Sequence, residues 1–96
     1  MILKNERFHT KGVGSSVSPL LQLFMWRCID EMPTPKDYLQ VFRFSIEDGK
    51  QKIVHEQENP VYKTAYLLNA DTPIFIGKIF VIDNGNHSTM MLSEEY

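Results

Sequence analysis

The stretch Ile74–Leu92, IFIGKIFVIDNGNHSTMML, decides the fold that this sequence predicts. In its first half both alternating sets of side chains are apolar, which is typical of a strand covered on both faces at the centre of a sheet. The Asn84-Gly85 pair that follows is the strongest short-range hairpin signal, because both residues tolerate positive φ. We therefore predict a buried strand over 74–82 that turns and runs back as its own antiparallel neighbour.

One helix is predicted, from Pro19 to about Met32. Ser18 is placed to cap its N-terminus, and Pro19 stands at the first helical position, where a missing N–H costs nothing. Pro33 ends it, because proline cannot continue a helix. The apolar residues of one helix face, expected to lie on the sheet, are Leu21, Phe24, Met25, Cys28, Ile29 and Met32.

The remaining segments alternate or turn. A short edge strand is predicted over 7–13, with a small, polar loop over 12–18. Further strands are predicted over 37–46, 51–58 and 62–68, and Glu47–Lys50 is a hairpin turn because it contains Asp-Gly. The strand over 51–58 is the most polar and is expected near a sheet edge.

The order β-α-β-β-β-β-β predicts an α+β domain over residues 1–96: an antiparallel, strongly curved sheet of five or six strands with one main helix packed on one face. One helix cannot cover both faces of such a sheet, although several strands are apolar on both sides. Either the sheet curls toward a half-barrel, or its second face meets another molecule.

Composition excludes several classes of protein. The 96 residues carry a net charge of −2 with acidic and basic groups interspersed, so neither nucleic acid nor an anionic membrane is an expected partner. A single cysteine, Cys28, excludes an internal disulfide and fits a reducing compartment. The chain lacks a signal-peptide core and any apolar run of the ~20 residues that span a bilayer. We expect a cytoplasmic protein.

Three segments together are similar to a known family. They are LQLFMW from Leu21 with Ile29 and Asp30, KDYLQVF from Lys36, and KIFVID from Lys78 with Gly85, HSTM from His87 and Leu92. In them the chain resembles an uncharacterised family, a domain of unknown function, of small cytoplasmic proteins from staphylococci and related Gram-positive bacteria. The resemblance spans nearly the whole chain. It implies no activity, substrate or site residue.

Residues with catalytic potential do not form a recognisable catalytic pattern. Asp83, His87 and Ser88 are the types of a hydrolytic triad, but they belong to one hairpin that is too short to aim histidine at both partners. Asp83 is expected to cap the turn instead. The segment Lys11–Ser16 lacks the spacing of a phosphate loop. Cys28 belongs to the apolar helix face and is expected to be buried and inert. We predict no catalytic residue and no cofactor, and the sequence favours a non-enzymatic protein.

The three histidines, His9, His55 and His87, are dispersed along the chain. None has a second histidine or cysteine at a metal-ligand spacing, so no metal site is predicted. His55 lies in the polar strand and is expected to be solvated.

Leu23 and Trp26 are the main anomaly of the helix, because they project away from its apolar face. One interpretation is that another segment of the chain covers them. The other is an exposed interface with Arg27 at its rim, since tryptophan and arginine are enriched at binding hot spots. This hypothesis predicts a protein partner or a homo-oligomer.

Two functions remain open. The first is a small interaction or regulatory protein that acts through protein–protein contact or self-association. The alternative is a small-ligand-binding domain or weak enzyme with an aromatic-lined pocket between helix and sheet. The residues predicted to line that pocket are Tyr38, Tyr62, Tyr66 and His87, with Arg43 as a further polar group.

Overall fold

A computed structural model describes residues 6–69 and 71–96. The strands are β1 (Glu6–His9), β2 (Leu39–Glu47), β3 (Lys50–Gln57), β4 (Tyr62–Leu67), β5 (Gly77–Asp83) and β6 (His87–Leu92). The helices are α1 (Lys11–Ser16) and α2 (Pro19–Glu31), and a short 3-10 helix covers Ser93–Glu95. Neither α-helix of these ranges has the length and apolar content needed to cross a lipid bilayer.

The strands form one sheet in the order β1-β6-β5-β2-β3-β4. The α+β class is confirmed, but the predicted all-antiparallel sheet is wrong, because β1 pairs with β6 in parallel while the other four pairs are antiparallel. The reason lies in the connection after β1. After β1 the chain passes through α1 and α2 before it reaches β2, and β1 lies at the sheet edge beside β6, the last strand in sequence.

The predicted strong curvature is also wrong. The sheet is open, with β1 and β4 as its two edges, and it is not strongly curled. Both helices contribute to the core on one face of it. Of the two alternatives stated for the second face, curling toward a half-barrel therefore does not hold.

Helix α2 matches its prediction closely. Ser18 is the N-cap, and its side chain accepts a hydrogen bond from the Leu21 amide at 3.3 Å. The helix ends at Glu31, one residue before the predicted end. Its fully buried residues are Leu21, Met25, Cys28 and Ile29, all on the predicted face.

Helix α1 was not predicted, because its glycines and serines are poor helix formers. Two features, one local and one tertiary, offset that weakness. Thr10 caps the helix, accepting a hydrogen bond from the Val13 amide at 3.3 Å. Val13 and Val17 are buried in the core. The strand expected over 7–13 accordingly ends at His9, and the expected loop is a helix.

Both predicted hairpins form. In the β2–β3 turn Asp48 and Gly49 have φ of 53° and 73°, as a two-residue turn that follows the strand twist requires. In the β5–β6 turn only Gly85 has positive φ, at 99°. The Asp83 carboxylate accepts a hydrogen bond from the Gly85 amide at 2.9 Å, which confirms its capping role.

The core lies between the helices and the sheet. Phe42, Ile53 and Ile79 are fully buried on adjacent strands, and residues of α2 pack onto them. Strand β5 begins three residues later than predicted, and Ile74 and Ile76 before it are exposed. One face of the sheet thus carries the hydrophobic core of the domain.

Candidate interaction surface

The face of the sheet turned away from the helices is called the open face. Residues that lie opposite each other across a ladder share a face, so the register places Leu39 with Ile82, Val41 with Phe80, and Arg43 with Lys78. The apolar residues of the open face are Leu39, Val41, Val54, Phe80, Ile82 and Met91, with Phe8 at the β1 edge and Ala65 and Leu67 at the β4 edge. Most of them are half-buried, and neither α1 nor α2, which pack on the other face, covers them.

A depression of about 250 Å³ lies on the open face. Leu39, Val41 and Phe80 form its apolar part. Polar and charged residues complete its lining: Asp37, Tyr38, Arg43, Glu56, Gln57, Glu58 and Lys78. The Tyr96 ring meets the Phe80 ring edge to face, with 5.4 Å between the centroids, and so continues the aromatic surface.

Basic charge gathers where β2 and β5 pair. Arg43 and Lys78 lie directly opposite each other, an arrangement that like charges disfavour. Arg43 forms an ion pair with Glu56 on the neighbouring strand. Lys78 has no ion-pair partner among residues 6–69 and 71–96, and its ammonium group lies 5.9 Å from the Phe80 ring centroid.

Acidic charge gathers where β2 begins and β3 ends. The Asp37 carboxylate accepts hydrogen bonds from the Tyr38 amide at 2.8 Å and the Asn59 amide at 3.2 Å. These hydrogen bonds hold the segment that follows β3 against the segment that precedes β2. Glu58, which lies in that chain, is exposed.

A buried polar network holds this acidic end in place. The Gln57 side-chain oxygen accepts from the Asp37 amide at 2.8 Å and from the Gln40 side chain at 2.6 Å. The Gln40 oxygen in turn lies 2.7 Å from Nε2 of His55. Since that oxygen can only accept, His55 donates from Nε2 and its Nδ1 carries no proton.

The expectation that His55 is solvated is wrong. Its side chain is fully buried, and its ring stacks on Phe42 with centroids 4.3 Å apart. Burial in this apolar setting lowers the pKa of His55 from 6.5 to about 4, while the nearby Glu56 carboxylate opposes part of that shift. The polar residues Gln51 and Gln57, which lie on the same side of β3 as His55, also point into the protein.

The three residues of the predicted helix interface lie on the outer side of α2. Leu23 is 59% exposed and Arg27 is exposed, beside Leu20 at 55%. Trp26 is half-buried, and the Arg7 guanidinium lies over its ring at 4.7 Å. Strand β1 therefore covers part of the tryptophan and leaves Leu23 free.

The four residues of the predicted pocket do not line one cavity. Tyr38 lines the depression on the open face, and Tyr66 lines a groove beside α2. Tyr62 packs its ring against His55, and His87 packs against Phe8 near the opposite edge of the sheet.

The groove beside α2 has a volume of about 220 Å³ and is lined by Phe24, Arg27, Cys28, Glu31 and Tyr66. Burial raises the pKa of the Cys28 thiol to about 11, so the thiol stays protonated and unreactive at neutral pH. Across the described part of the chain, no three histidine, cysteine or acidic side chains gather as a metal site would require.

Comparison with known proteins identifies relatives of the same fold. A family model described as "Staphylococcal protein of unknown function (DUF960)" matches residues 6–95. A crystal structure of a protein of unknown function from Enterococcus faecalis is similar, with a TM-score of 0.85 and 26% sequence identity, over 100% of this chain and 98% of that chain. No curated protein matches the chain.

Proposed function

Because the chain belongs to the DUF960 family, whose description assigns no activity, we propose a function from geometry: a small interaction protein that acts by protein–protein contact through its open face. One observation carries this proposal. Leu39, Val41, Phe80 and Ile82 form a contiguous apolar patch on the sheet face opposite α1 and α2.

The pattern of the patch supports a protein partner. Apolar residues that occur singly on a surface need no explanation, whereas contiguous apolar patches with polar rims are typical of interaction sites. Here the rim carries Arg43, Glu56 and Lys78 around the apolar centre. This arrangement of apolar centre and charged rim is usual in protein interfaces.

Small-ligand binding at the depression is the second candidate. Tyr38 and Phe80 offer aromatic walls, and two cations lie nearby. However, the volume of about 250 Å³ falls below the roughly 300–1,000 Å³ of typical ligand pockets. Two of its polar groups are also already engaged, because Arg43 pairs with Glu56 and Asp37 binds backbone amides. Size and pairing favour the protein partner.

A photocrosslinker placed on the open face tests the proposal. We expect p-benzoylphenylalanine in place of Phe80 to give a discrete protein adduct in cells that express the chain. The same group in place of Ile46, an exposed apolar residue at the far end of β2, is the matched control and should give none. Gel analysis and mass spectrometry of the adducts provide the readout.

A second substitution makes this test specific. Leu39→Lys places a charge beside Phe80 in the patch, so the Phe80 adduct should disappear while the circular dichroism spectrum is retained. The proposal is wrong if the Phe80 position yields no adduct, or if its adduct persists unchanged in the Leu39→Lys background.

The outer side of α2 is a second contact surface, favoured by the exposure of Leu20 and Leu23 at 55% and 59%. We expect Leu23→Ser to change the free energy of unfolding by less than about 0.5 kcal/mol and to remove any adduct formed by a photocrosslinker at Leu20.

Trp26→Ala should lower the free energy of unfolding by about 1–2 kcal/mol, because it removes the contact with Arg7 and packing against the core. Urea unfolding measures both costs. A Leu20 adduct that survives Leu23→Ser would contradict this second surface.

A further inference from the structure

The charges of the open face are separated along β2. Arg43 and Lys78 mark the basic end, while Asp37 and Glu58 mark the acidic end. Since a strand advances about 3.3 Å per residue, residues 37 and 43 are separated by roughly 20 Å. The apolar residues Leu39, Val41 and Phe80 lie between the two ends.

This arrangement is complementary to itself. A two-fold axis that lies between two copies, parallel to their sheets and perpendicular to the line from Lys78 to Glu58, places the basic end of one copy over the acidic end of the other. Contacts of this kind require one patch in which residue i meets residue j and residue j meets residue i. A partner of a single charge, by contrast, would meet like charge at one end of the patch.

The unpaired charges lie where such a contact would use them. Lys78 has no ion-pair partner in the described ranges, and it is opposite the cationic Arg43, where a carboxylate from another molecule would relieve the repulsion. Glu58 is exposed at the acidic end and lies outside the strand ladders. At the centre each copy would cover the other's apolar patch.

We infer that the open face binds a second copy of this chain in a face-to-face, two-fold dimer. Lys78 of each copy faces the partner's Glu58, and the Leu39, Val41 and Phe80 side chains of both copies meet at the centre. This inference rests on the proposed function of the open face and names its partner.

A charge swap tests the inference by sedimentation velocity on the purified chain. The wild-type protein should sediment as a dimer at about 100 µM. Lys78→Glu and Glu58→Lys should each raise the dissociation constant by about tenfold or more, because each places like charges together at both ends of the contact. The double variant Lys78→Glu/Glu58→Lys restores the opposite-charge pairs and should return the constant to within about threefold of wild type.

Lys11→Glu is the matched control, because it reverses an exposed charge on α1, which packs on the sheet face opposite the open face, and should leave dimerisation unchanged. Each variant must retain its melting temperature to within about 2 °C. A monomeric wild type at about 1 mM overturns the dimer, and so does a double variant as weak as the single ones. A Phe80 adduct to a different protein, with a monomeric purified chain, overturns the dimer but leaves the proposed function standing.

Discussion

Replacing Phe42 with alanine is expected to lower the free energy of unfolding by about 3–5 kcal/mol. The Phe42 ring is fully buried, stacks on His55 at 4.3 Å between centroids, and belongs to a central strand. Truncation would leave a cavity between β2, β3 and the helices that the surrounding side chains cannot refill without strain. Urea denaturation monitored by circular dichroism measures the loss.

Phe80→Ala is the matched control, because the same residue type is removed from the adjacent strand on the opposite face. Phe80 is half-buried on the open face, so we expect a cost of only about 1–2 kcal/mol. The same substitution should weaken association, whereas Phe42 does not lie on the contact surface. Equal losses of stability for the two variants would contradict the assignment of the two faces.

Acidification is expected to destabilise the protein through His55. Its pKa is about 4 in the folded protein against an ordinary value of 6.5, so the unfolded chain binds the proton more readily. The contribution of neutral His55 is therefore fully present above about pH 6.5, decreases as the pH falls, and is lost near pH 4. The total amounts to about 3 kcal/mol, since one pKa unit corresponds to about 1.4 kcal/mol.

Urea unfolding at a series of pH values from 7 to 4 measures this dependence. His55→Gln keeps a hydrogen-bond donor near Gln40 but cannot titrate, so its stability should vary much less over this range. His87→Gln, which changes a half-buried histidine beside Phe8, is the control and should retain the wild-type dependence. The carboxylates are the same in all three proteins, so their effect on stability cancels in the comparison. An unchanged pH dependence in His55→Gln would contradict the assignment.

Features specified by neighbouring residues could be predicted from the sequence. Ser18 and Pro19 mark the start of α2, and the apolar spacing from Leu21 to Ile29 identifies its buried face. Asp48-Gly49 and Asn84-Gly85 mark both hairpins, because a turn needs the backbone freedom that these residues provide. The antiparallel neighbours β2–β3 and β5–β6 follow directly from these turns.

Features that depend on distant partners could not be predicted in this way. The parallel pairing of β1 with β6 has no local signal, and α1 forms because Val13 and Val17 are buried by other elements. His55 lies in a strand whose residues are polar on both faces. Only the positions of Phe42 and Gln40 on the neighbouring strand show that the histidine side is the buried one.

The candidate surface was predictable only in outline. The apolar alternation of β2 and β5 already required a covering for both faces of the sheet, and one helix could supply only one. Which set of side chains remained uncovered depended on where α2 packs. The charge separation from Asp37 to Lys78 arises from strand pairing between residues about 40 positions apart. Leu23, by contrast, could be recognised as projecting outward from helical spacing alone.

The pairing of β1 with β6 also governs how the domain can be made. Glu6 lies beside His87, so within the described ranges the first strand in sequence, β1, pairs with the last strand, β6. During synthesis on the ribosome β2 and β3 can form their hairpin early, whereas β1 cannot pair until β6 has been made. Pairing between strands so distant in sequence slows folding. It also prolongs the time during which apolar surface is exposed and can aggregate or bind chaperones.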